Sequence, residues 1–172
     1  MKSLLATILL CSITLFASAN NNVLSGKPGI IHEPVLAQVL HSYYDIKNAL
    51  VNGDAAVASV KAADMVKALG DVDMKGLSEA DRTAYTPLQE KLNFDAHHIS
   101  ESKDIAHQRE HFSSLSNNIY KLAKATKLAV EPVYQAYCPM KKMYWLSSEA
   151  EIKNPYYGKA MLTCGKVTDT IQ

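Results

Sequence analysis

The stretch KDIAHQREHFSSLSNNIYKLAKATKL, from Lys103 to Leu128, decides the fold. Ile105, Gln108, Phe112, Leu115, Ile119 and Leu122 follow one another in steps of three and four, which places them in a single stripe along a helix. A helix of that length needs partners to cover the stripe. The sequence before it supplies three.

Leu36, Val39, Tyr43, Ile46 and Leu50 repeat the same spacing and predict a first helix from about Glu33 to Val51. Asn52 and Gly53 break it. Asp54 then reads as the N-cap of a second, alanine-rich helix with Ala58, Ala62, Met65 and Leu69 on one face. Residues 70–76 read as a loop, and Ser78 with Asp81 resembles a capping box opening a short turn. Pro87 interrupts, so a third long helix is expected from about Thr86, through Leu88, Leu92, Asp95 and Ile99, to about Ser102. Four such segments with short connections predict an all-α protein, an antiparallel four-helix bundle.

After Lys127 the periodicity stops, and Pro132, Pro139, Pro155, Gly158 and Gly165 punctuate the rest. Tyr134, Tyr137, Tyr144, Trp145, Tyr156 and Tyr157 are too much apolar area to leave in water. An irregular C-terminal segment packed on the bundle is expected.

At the other end, MKSLLATILLCSITLFASA carries Lys2, an apolar run and a small-residue ending at Ala17–Ala19, the pattern of a signal peptide over residues 1–19. The run is too short for a membrane span, and Leu10 before Cys11 does not suit a lipoprotein signal. Residues 20–34 are then expected to be a flexible leader and 35–172 a single helical domain, with the mature chain expected to be periplasmic or secreted. Taking Lys2 from the 18 basic residues leaves 17 against 17 acidic ones. With no net charge and no basic cluster larger than Lys141 and Lys142, nucleic acid is not an expected partner.

Two groups of residues could carry chemistry. The first is sulfur: Cys138 and Met140 flank Pro139, and Met161 and Cys164 are three apart, a soft donor set suited to an ion such as Cu(I). Equally, in an oxidising compartment Cys138 and Cys164 would join, closing a loop of about 26 residues and stabilising the fold by roughly 3.5 kcal/mol on the chain-entropy account. Both readings stay open. The second group is imidazole: His107 and His111 are one turn apart on the fourth helix, and an antiparallel neighbour would bring His98 towards them. Against this stands an ordinary semi-buried histidine at His111, among core positions. His32, His41 and His97 have less to recommend them. Ser113, Ser114 and Ser116 lack a GxSxG context, and there is no glycine-rich phosphate loop, so an enzyme is not expected. Glu79, Asp81, Glu90 and Asp95 read as solvated carboxylates.

Taken together, SYYDIKNALVNGD, HISESKDIAHQREHF, YCPM, YWLS and IKNPYYGKAMLTCGKV resemble a bacterial domain of unknown function. It is found as a free exported protein and at the C-terminus of CusB-type copper and silver efflux adaptors. The resemblance runs from about Leu36 to Ile171. YCPM is also similar to the opening of small heavy-metal-binding domains, with Lys141 in place of their histidine. The resemblance implies a non-enzymatic periplasmic buffer or carrier for copper or silver, partnered by an efflux adaptor. Its ligands would come from Cys138, Met140, Met161 and Cys164, with His98, His107 and His111 on the bundle; Met143 falls outside the pattern. The tail sulfurs would fold back within reach of the histidines. The other function in view is a disulfide-stapled interaction module of the cell envelope.

Overall fold

A computed structural model describes residues 36–172. The expected signal peptide and leader, with Cys11 and His32, lie outside them. Four helices come first: α1 Ala37–Asn52, α2 Ala55–Gly70, α3 Glu79–Glu101 and α4 Ile105–Ala125. Short connections fold each helix back on its predecessor, and the closest pairings are between sequential neighbours.

The punctuation acts as its chemistry dictates. Gly53 ends α1 in the left-handed conformation, at φ 75°, where a side chain would be strained. Asp54 caps α2 by accepting a hydrogen bond from the Val57 amide at 2.9 Å. Ser78 caps α3, accepting from the Asp81 amide at 3.1 Å. That cap starts a helix running straight through Pro87, not a short turn followed by a new helix. Pro87 is exposed, so its ring meets water while Tyr85 and Leu88 on either side are buried. Their burial offsets a proline cost of about 3 kcal/mol in a helix interior.

The predicted stripes meet in one core. Tyr43, Ile46 and Leu50 of α1, Met65 and Leu69 of α2, Leu92 and Ile99 of α3, and Phe112 and Ile119 of α4 are all buried in it. The C-terminal segment is where the all-α expectation fails. Instead of an irregular tail it forms a three-stranded antiparallel sheet: β1 Val133–Cys138, β2 Met143–Ser147 and β3 Lys166–Ile171, in the order β2-β1-β3. Cys138 pairs with Met143 across the hairpin, whose turn carries Lys142 at φ 55°. Between β2 and β3, Asn154 organises the loop. Its side chain accepts from the Tyr156 amide at 2.8 Å and donates to the Cys164 carbonyl at 2.6 Å.

The sheet docks on α4 through β2, and α1 meets the tail chiefly at the short turn Gly158–Met161. Tyr43 stacks on Phe112 with centroids 5.0 Å apart. The Leu146 amide donates to the Tyr43 hydroxyl at 2.9 Å, so a backbone N–H of edge strand β2 is satisfied by a helix. Arg109 binds the Pro155 carbonyl at 2.8 Å and the Leu50 carbonyl at 3.2 Å, tying α4 to the tail and to the end of α1.

Candidate metal centre

Only three residues separate α3 from α4, and their geometry places the histidines. Asp104 caps α4 by accepting from the Ala106 amide at 2.9 Å, and Ser102 accepts from the Asp104 amide at 3.1 Å. Gln108, fully buried, donates its amide group to the Ser102 carbonyl at 2.8 Å and to the Ala55 carbonyl at 2.9 Å, locking the turn against α2. Held this way, His98 near the end of α3 faces His107 and His111 at the start of α4.

The three imidazoles form one cluster. Each offers a ring nitrogen, and these nitrogens all lie within 4.8 Å of one another. His98 and His111 stack almost parallel, with centroids 4.5 Å apart and planes at 8°, and His107 meets His111 edge-on at 4.6 Å. All three are partly buried, so an ion can reach them from solvent. Phe94, one turn before His98 and 56% exposed, lies 4.3 Å from its ring and forms a lip on the site. Behind it, Asp95 is 3% exposed and sets a carboxylate oxygen 3.1 Å from His111 Nδ1. Asp95 was expected to be solvated; its place on the stripe of Leu88, Leu92 and Ile99 is the signal that it is not.

The sulfur residues lie elsewhere. At 3.6 residues per turn, Arg109, Ser116 and Tyr120, which face the sheet and α1, are about 180° round α4 from His107 and His111. Tyr120 confirms the direction by donating to Asp169 of β3 at 2.8 Å. The tail therefore covers the side of α4 opposite the histidines, and the expected convergence of sulfurs and imidazoles does not occur. Cys138 and Cys164 do converge on each other. Tyr137 pairs with Lys166, which makes the two cysteines diagonal neighbours across β1 and the start of β3. Both are free thiols. Burial pushes the Cys164 thiol up, and the neighbouring Cys138 pushes it further. Met140 is 63% exposed in the hairpin turn, and Met161 is also exposed. His97 pairs with Glu101 at 3.1 Å outside the cluster, and His41 lines a separate concavity of about 280 Å³ with Tyr44 and Val130.

Among known proteins, residues 39–130 match the family described as protein of unknown function (DUF3347). The matched stretch holds α2, α3, α4, all of α1 but its first two residues, and the three clustered histidines, and it stops before β1, Cys138 and Cys164. No curated protein and no solved structure matches. Among the described residues, no helix is long and apolar enough to cross a membrane.

Proposed function

The chain belongs to the DUF3347 family, and we propose that it is a non-enzymatic metal-binding module holding one transition-metal ion through His98, His107 and His111. The observation that carries this reading is the packing of three imidazole nitrogens within 4.8 Å, on two helices fixed by a buried glutamine. Imidazole donors suit copper, zinc and nickel, and among divalent ions copper binds such a set most tightly. Copper also agrees with the resemblance to domains of copper and silver efflux systems. In that setting the module is an exported buffer or carrier that passes its ion to an efflux adaptor. Three protein ligands leave a coordination position open, which is the route by which an ion can be handed on.

The test is calorimetric titration of the purified chain with Cu(II) and with Zn(II). One ion per chain is expected, with binding lost in His98→Ala and in His111→Ala and unchanged in Cys138→Ser/Cys164→Ser. Equal binding by the wild type and a triple histidine-to-alanine variant overturns the proposal.

The adjoining thiols favour a second reading, in which Cys138 and Cys164 join and staple the sheet as part of an envelope interaction module. Counting free thiols in protein isolated from the periplasm without reductant decides it. Zero thiols supports the staple; two removes it.

A further inference from the structure

Asp95 is an odd residue for its position. It occupies the buried stripe of α3 where Leu88, Leu92 and Ile99 pack into the core, and leucine there would fill space without the penalty of desolvating a carboxylate. Among the described residues, its side-chain hydrogen-bond partner is His111 Nδ1, at 3.1 Å. An ionised carboxylate only accepts, so the imidazole nitrogen facing it carries the hydrogen. In the neutral ring this leaves the lone pair on Nε2, the tautomer in which His111 can ligate an ion through Nε2 while Nδ1 stays engaged.

We propose that Asp95 is the positioning residue of the metal centre, fixing both the tautomer and the ring plane of His111 so that Nε2 is its ligand atom; this rests on the histidine site proposed above. The arrangement follows from helix spacing. Asp95 and His98 are three apart and share a face of α3, so one helix supplies both a ligand and the brace for a ligand on its neighbour. His98 stacks on His111 with the ring planes at 8°, so with Asp95 holding His111 it is His98 that turns for both in-plane lone pairs to reach one ion. A carboxylate behind a ligating imidazole also raises its basicity and places negative charge next to the ion, which strengthens binding of a divalent cation.

Two readouts test this on the full chain. The first is nitrogen–proton correlation of the His111 ring without metal. The wild type is expected as the Nδ1–H tautomer, Asp95→Asn, whose side-chain oxygen still accepts, keeps it, and Asp95→Leu loses it. The second is the Zn(II) dissociation constant, expected to rise about 10- to 100-fold in Asp95→Leu and by less in Asp95→Asn. A merely structural role predicts otherwise, since the leucine variant should then be at least as stable to heat and bind zinc as the wild type does. An Nε2–H tautomer in the wild type, or unchanged zinc affinity in Asp95→Leu, overturns the inference while leaving the three-histidine site standing. If the wild type binds no ion, the parent reading fails and this one with it.

Discussion

Replacing Tyr43 with phenylalanine removes one oxygen atom from the point where α1, α4 and the sheet meet. The hydroxyl sits in a chain of hydrogen bonds. The Leu146 amide donates to it at 2.9 Å, it donates to Ser116 Oγ at 2.7 Å, and Ser116 donates to the Phe112 carbonyl at 2.7 Å. Burial pushes the Tyr43 phenol well up, so it stays protonated and can fill both roles. In the variant the ring still stacks on Phe112 and Ser116 keeps its carbonyl partner; the loss falls on the Leu146 amide, left buried without an acceptor. Such an orphan costs about 1–3 kcal/mol, a fall in melting temperature of roughly 3–15 °C for a domain of this size. Urea denaturation followed by circular dichroism measures the helices, and Trp145, the sole tryptophan and buried in β2, reports the sheet. The two signals should move together, with an unchanged denaturant slope. Because Tyr43 and Ser116 act in one chain, Tyr43→Phe/Ser116→Ala should cost less than the sum of the single changes. A loss below about 0.5 kcal/mol, or a sheet signal that ignores the substitution, would refute this account of how the tail is held.

Lys47 is 3% exposed and burial holds its ammonium below the ordinary lysine value of 10.5, with Glu149 opposing the shift. The unfolded chain therefore binds the proton more tightly, and the penalty is present in full below the lowered folded value and disappears as pH rises to 10.5. Lys47→Met should accordingly raise the melting temperature at pH 7, with the gain shrinking as the pH approaches 10.5; a gain that grows with pH would contradict the sign. Gly165 has φ +153°, and a Cβ there would lie 2.7 Å from the Trp145 ring and 3.0 Å from the Tyr137 carbonyl. Gly165→Ala should cost about 1–3 kcal/mol and shift Trp145 emission, leaving zinc affinity at the histidines as it was.

The helices were legible because their stripes are strict. Tyr43, Ile46 and Leu50, or Phe112, Leu115 and Ile119, have no other period to obey, and Asp54 and Gly53 punctuate as their side chains require. Pro87 misled because local propensity marks a break there, whereas burial of Tyr85 and Leu88 on either side decides for one helix. The sheet was missed for the opposite reason. VYQAYC, MYWLS and KVTDTI are each short, and both helix and strand periods fit five or six residues. Their aromatic and β-branched content, with the four-residue turn at Pro139–Lys142, was the available signal. At the site, the i and i+4 spacing of His107 and His111 gave two ligands, and antiparallel helices gave His98. The separation of sulfur from imidazole depends on which side of α4 the tail covers, fixed by long-range contacts such as Tyr120 with Asp169. No local pattern encodes that choice.

The most direct test of the central claim is the coordination shell itself, read by X-ray absorption at the zinc edge on the full chain loaded with one equivalent of Zn(II). Imidazole nitrogens at about 2.0–2.1 Å, with no sulfur shell, are expected. Scattering from sulfur at about 2.3 Å would place the ion on the cysteines and contradict the account.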